Sequence, residues 1–152
     1  MTTYESEIKT ISQPHELVFN TLSDLKNLQN VSNTDVEGRK KAEEYLKDIE
    51  FDSDSLKFTV TGIGKVGFRI IEREPFKTIK LEAENSPISA NGWIQLVSVS
   101  ENETKMKLTI KAELPMMIKM MVDSKLKKGV NAIADAIVEA ISASQLPDEG
   151  FF

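Results

Sequence analysis

The sequence contains no cysteine and a single histidine, His15. The first absence excludes disulfides, thiolate metal sites and cysteine nucleophiles, and it fits a reducing, cytoplasmic setting. The second leaves any zinc site to carboxylates almost alone, unlike the nitrogen and sulfur ligands zinc favours, so neither a metal nor another cofactor is expected. His15 follows Pro14 in the first turn of a predicted helix, where exposure outweighs a role as general base. No apolar run approaches the roughly 18 residues of a membrane span, so no integral membrane segment is expected. Residues 1–9 hold no basic region followed by an apolar stretch, and no secretory signal is expected there. Positive charge is also scarce. With 19 Lys and Arg against 24 Asp and Glu the formal charge is −5, the wrong sign for nucleic acid as principal partner.

What is present is ordinary globular material. Its 152 residues, 40% hydrophobic and 28% charged, suit one domain with one core. Residues 4–11 alternate as a strand whose Glu5, Glu7 and Lys9 face water. Ser12, Pro14 and Glu16 mark a helix entry, and Val18, Leu22 and Leu25 follow at helical spacing. Asp24 is placed to cap a second short helix running through Leu28 to about Asn30. Residues 38–47 are rich in helix formers and predict a surface helix.

The period then changes to two. Strands are predicted at 49–51, 56–61, 66–73, 78–85, 93–100 and 105–114, parted by short turn-forming clusters that suit hairpins, hence an antiparallel sheet. In the clearest one Met106, Leu108, Ile110 and Ala112 share a face opposite Lys105, Lys107 and Lys111, so one side is buried and the other solvated. Pro115 ends the strands. Ile118, Val122, Leu126, Val130, Ile137 and Ile141 then recur at helical spacing, predicting a helix of about 28 residues that lies across the sheet. Beyond Ile141 the pattern stops at Pro147, giving a single domain over 1–143 and a flexible tail over 144–152.

Several motifs have bland explanations. Gly62, Gly64 and Gly67 match the spacing of a dinucleotide-binding fingerprint, yet the chain continues as a strand instead of opening a helix, so they are read as turn and curvature glycines. The acid pairs Asp52/Asp54, Glu72/Glu74 and Glu82/Glu84 are read as solvated-face charges. Arg69, Ile71 and Arg73 share a parity opposed to Val66, Phe68 and Ile70, which predicts a bulge on one of these faces. Asn102 and Thr104 form a nominal glycosylation acceptor that reads as a hairpin turn.

The order of strand, two short helices, six strands and a long helix resembles the START-like superfamily, also called SRPBCC, the polyketide cyclase and lipid-transport, Bet v 1-like group. Ile11, Pro14, Val18, Phe19, Leu22 and Asp24 carry the likeness at the first helix pair; Gly64, Pro75, Trp93, Thr104 and the C-terminal helix carry it later. The resemblance implies an α+β helix-grip fold: a curved seven-stranded antiparallel sheet wrapped around a long C-terminal helix, with two short helices after the first strand. It also implies a cavity between sheet and helix for a small hydrophobic molecule such as a lipid, sterol or polyketide. The inward strand residues expected to line it are Phe58, Val60, Phe68, Ile70, Leu81 and Leu108. Trp93 with Gln95 would add an indole and an amide, although Ile94 and Leu96 compete for the same face. Met117 and Met121, from the cluster Met116, Met117, Met120 and Met121, would line its mouth or else meet a protein partner. Arg69, if inward, would be the polar anchor. Binding or carriage of that molecule is the expected function. A cyclase or aromatase-type enzyme and a protein-interaction module are the alternatives, with no catalytic residue in view. The charged segment 32–48 is longer than a plain connection and would reach the cavity as a lid.

Overall fold

The computed structural model describes residues 1–28 and 47–149, with side chains as far as Ile141. β1 (Thr2–Glu5) and β2 (Lys9–Ile11) precede α1 (His15–Leu22), and six strands follow: β3 (Lys47–Phe51), β4 (Ser55–Val60), β5 (Gly64–Glu74), β6 (Thr78–Glu84), β7 (Ala90–Ser100) and β8 (Glu103–Ala112). α2 (Met116–Glu149) ends the described chain. All pairings are antiparallel, in the order β1-β8-β7-β6-β5-β4-β3, with β2 also on β8. The sheet curls as a half-barrel around α2, the expected α+β helix-grip architecture.

The predicted first strand is split. β1 pairs Glu5 with Thr109, but β2 pairs Lys9 with Met106, a one-residue slip between the two. Ser6 bridges the break: its N–H donates to the Leu108 carbonyl at 2.9 Å, and its hydroxyl accepts the Leu108 N–H at 3.0 Å. A side chain thus replaces a missing ladder acceptor, as burial of the Leu108 amide requires.

Ser12 does not cap α1, whose N-terminal flank is Pro14 without a side-chain cap. The Pro14 carbonyl accepts the Val18 N–H instead. Asp24 does cap: its carboxylate accepts the Lys26 N–H at 3.0 Å and opens a 3₁₀ turn over residues 25–28. The remainder of that predicted helix, and most of the surface helix predicted over 38–47, lie outside the described residues. Lys47, predicted to end that helix, opens β3. Thr104, fully buried, donates from its hydroxyl to the Gln13 carbonyl at 2.7 Å and holds the approach to α1 against β8.

The predicted bulge exists. The β5–β6 register slips between Ile70 and Glu72, leaving Ile71 exposed while Val66, Phe68 and Ile70 stay inside. Gly62 and Gly64 take φ of +100° and +106° in the β4–β5 turn, where a side chain would be strained. At Gly67 a Cβ would stand 2.7 Å from the Glu84 carbonyl oxygen of the next strand. All three glycines serve the sheet.

α2 is longer than expected, 34 residues or about 50 Å. The Pro115 carbonyl accepts its first bond, from Lys119. The tail predicted over 144–152 is helical as far as Glu149, so the Pro147 signal does not stop the helix. Val122, Val130, Ile137 and Ile141 are buried along the stripe the periodicity marks. Among the described residues no helix is long and apolar enough to cross a membrane.

Candidate functional site

Strand alternation places Ile79, Leu81, Ile94, Leu108 and Ile110 on the concave face and Lys80, Trp93, Gln95, Thr109 and Lys111 on the other. The concave face and α2 do not close completely. Between them lies a cavity of about 100 Å³. Phe58 and Phe68, stacked at 6.1 Å between centroids, form one wall. Leu81, Gly92, Ile94, Leu108 and Ile110 form the floor, and Ile133, Ala136, Ile137 and Ala140 bring α2 over it. Ile49, Phe51 and Leu56 from β3 and β4 close one side, with Leu25 and Leu28 from the 3₁₀ turn.

Every described side chain turned into this space is hydrocarbon. Thr109 borders it too, but its strand partner is Trp93 on the convex face. No buried side-chain polar atom among the described residues lacks a partner, so none is left waiting for a ligand group. The space is walled by hydrocarbon, and its described lining presents no acid, base or nucleophile. Among the described residues no cluster of His, Cys, Asp or Glu could hold a metal.

Of the residues singled out in the sequence, Phe58, Phe68, Leu81 and Leu108 line the cavity. Val60 and Ile70 are buried in the surrounding core without bordering it. Gln95 is exposed on the convex face, paired with Thr78 and Lys107. Trp93 borders the cavity by strand position, but its indole is approached by the ammonium groups of Lys80 and Lys111, 5.8 and 5.7 Å from the ring centre. Ile94 and Leu96 take the inward face because their cross-strand neighbours are apolar: Ile79 and Leu108 beside Ile94, and Met106 beside Leu96. Met117 and Met121 are 80% and 63% exposed, outside the cavity. Arg69 also points outward, its Nε donating to the Glu84 carboxylate at 2.7 Å, and this bond with its charge raises the guanidinium pKa further. Arg73 bonds the Ser23 carbonyl at 2.8 Å and Asp54 at 2.7 Å, fastening the end of α1 to the rim of β4. The lining residues not singled out in the sequence include Leu25, Leu28, Ile49, Phe51, Leu56, Gly92, Ile94 and Ile110, and those α2 contributes. Their helical or alternating phase was visible, but the fold alone brings them to one place.

This is the cavity of a START-like, SRPBCC protein. Residues 9–145 match the CoxG family of carbon monoxide dehydrogenase subunits, and the chain belongs to that family. No curated protein matches the sequence. A crystal structure of a Thermus thermophilus protein is similar at TM-score 0.66 and 14% identity, covering 94% of this chain and 99% of that one. Norcoclaurine synthase from Thalictrum flavum, in complex with dopamine and hydroxybenzaldehyde, is similar at TM-score 0.64 and 14% identity, covering 93% and 87%. A START superfamily protein from Mycobacterium smegmatis has TM-score 0.57 and 11% identity, covering 93% and 98%. Identities this low speak for the fold alone.

Proposed function

We propose that the protein binds a small hydrophobic ligand, or the apolar end of a larger one, in the cavity between sheet and α2. The observation that carries this is the uniform hydrocarbon lining of a space that the surrounding core leaves unfilled. Burying a polar group there without a hydrogen bond costs about 2–7 kcal/mol, so a ligand's polar portion stays outside. The volume, about 100 Å³, is somewhat below the ~150 Å³ of an apolar cavity that admits benzene, and holds one ring or a short chain end. A whole lipid, sterol or polyketide requires the cavity to widen. The architecture is compatible with small aromatics, since the norcoclaurine synthase of similar fold is crystallised with dopamine and hydroxybenzaldehyde. Absence of an inward acid or base among the described residues favours binding over cyclase-type chemistry. Cysteine-free composition supports the cytoplasm as its setting.

Native followed by denaturing mass spectrometry tests this. The expected result is a stoichiometric apolar adduct, lost on denaturation and reduced in Phe68→Ala. An apo mass, together with no response of the Leu81 and Leu108 methyl signals to added toluene, would count against it.

A second reading, contact with a protein partner, is favoured by Met116, Met117 and Met120 standing 78–80% exposed at the start of α2. The family's description, a subunit of a dehydrogenase, agrees with it. Pull-down with Met116, Met117 and Met120 changed to Ser separates the two, because retention of the same partner by the variant argues against this surface.

A further inference from the structure

Gly92 is a glycine that its own position does not demand. It lies in β7 between β6 and β8, opposite Leu81 and Ile110. Its φ is not positive; among the described glycines only Gly62 and Gly64 have that conformation. Nor is it crowded. A Cβ there would stand 3.8 Å from the Thr109 carbonyl oxygen and 3.9 Å from the Leu81 Cβ, which are ordinary contacts, unlike the 2.7 Å approach at Gly67. A glycine inside a strand gives up packing and costs more backbone entropy than any other residue. Neither backbone conformation nor steric pressure explains it, which leaves the space it creates.

That space belongs to the cavity. Gly92 shares its parity with the buried Ala90, Ile94 and Leu96, so a side chain there would enter the concave side beside Leu81 and Ile110. Gly92, Leu81 and Ile110 all border the cavity, and α2 contributes Ile133 and Ile137 together with the small side chains of Ala136 and Ala140.

We propose that Gly92 is the specificity-determining residue of this site: its missing side chain sets the depth of the cavity and hence the largest apolar group admitted. The inference rests on the cavity being the ligand site. The class it selects is a flat or slender hydrocarbon, a single ring or an unbranched chain end, entering without its polar portion. Branched or fused-ring groups are refused for want of depth.

Gly92→Ala and Gly92→Leu test it, with melting temperature and methyl NMR titration by toluene as readouts. Gly92→Ala is expected to melt at or up to about 3 °C above the parent, because the added methyl enters open space and reduces unfolded-chain entropy. Toluene affinity is expected to fall about fourfold in Gly92→Ala and at least about tenfold in Gly92→Leu, the scale of one and then two or more methylene groups of the ligand left unburied. Equal toluene affinity in the parent and both variants would overturn the role of Gly92 and leave the cavity reading standing. No response of the Leu81 and Ile110 methyls in the parent would overturn both. A fall in melting temperature of several degrees for Gly92→Ala would show there is no room at this position, and would overturn the proposal without any ligand. If Gly92→Leu does not fold, Gly92→Ala alone decides.

Discussion

The phenol of Tyr4 donates a hydrogen bond to the carboxylate of Asp123 at 2.8 Å, joining the first strand to the long helix. Among the described residues, two more ties to α2 follow it along the chain. The Glu7 N–H donates to the Asn131 side chain at 3.0 Å, and the Lys9 ammonium meets Asp135 at 2.8 Å. Asn131 and Asp135 are i,i+4 neighbours on the helix, and Asp123 lies about two turns before the first of them, so the contacts wind slowly around α2 as the chain runs from β1 to β2. Tyr4 is the first tie and is 2% exposed, its ring in the core and its hydroxyl at the edge. Tyr4→Phe keeps the ring and removes the bond. The expected outcome is a melting temperature lower by about 2–4 °C with an unchanged fold by circular dichroism.

The same pair predicts a pH signature. Burial, then the bond and charge of Asp123, push the Tyr4 phenol well above its ordinary range. The bond from Tyr4, followed by that from Lys127, holds Asp123 below the usual carboxylate value. A depressed carboxylate contributes stability that is present above about pH 4 and lost as pH falls through the folded value. A raised phenol contributes stability that is present below about pH 10 and lost as pH rises beyond it. The difference in melting temperature between parent and Tyr4→Phe is therefore expected to be widest between about pH 5 and 9 and to narrow on both sides. A difference that does not vary with pH would show that the bond contributes nothing through ionisation.

Much of this fold was legible because its periods are clean. Met106, Leu108 and Ile110 alternate with charged neighbours, and Val122, Val130, Ile137 and Ile141 repeat at helical spacing, so their inward faces follow from the chain alone. Even the bulge at Ile71 showed itself as a parity conflict. β7 was not legible in this way, since Trp93 and Val97 compete with Ile94 and Leu96 and both sets are apolar. Cross-strand partners decide between them: Ile79 and Leu108 make one face dry, whereas Lys80 and Lys111 make the other wet. Pro147 misled for the opposite reason, being a local signal that the continuing helix overrides.

Truncation of the helix wall is expected to separate stability from capacity. Ile137 is 6% exposed and borders the cavity. Ile137→Ala is expected to destabilise by about 2–5 kcal/mol in denaturant unfolding, combining lost transfer energy with a larger void. The enlarged space should then take naphthalene and the parent should not, as read by methyl NMR titration. Destabilisation without any gain in capacity would mean that the surrounding core collapses into the gap.

Trp93 is the sole tryptophan, so its emission reports one place. With Lys80 and Lys111 at 5.8 and 5.7 Å from the ring centre, the local potential is positive on the convex face. Iodide is expected to quench the indole more efficiently than caesium, and Lys80→Gln with Lys111→Gln should remove that preference. Trp93→Ala should leave toluene affinity within about twofold, since the ring is not in the cavity. An indole that neither quencher reaches would place the ring inside after all.

The methionines at the start of α2 provide the complementary control. Met117 and Met121 are 80% and 63% exposed, so replacing them removes surface rather than core, and Met117→Ser with Met121→Ser should each shift stability by less than about 0.5 kcal/mol. Toluene affinity should stay within about twofold for the same reason. What should change is the surface itself: four flexible thioethers on neighbouring turns of one helix make an adhesive apolar patch, and its conversion to hydroxyls should lower binding of an apolar dye such as ANS. Loss of toluene binding in either variant would show that the helix start moves over the cavity when a ligand enters, making those side chains part of its mouth.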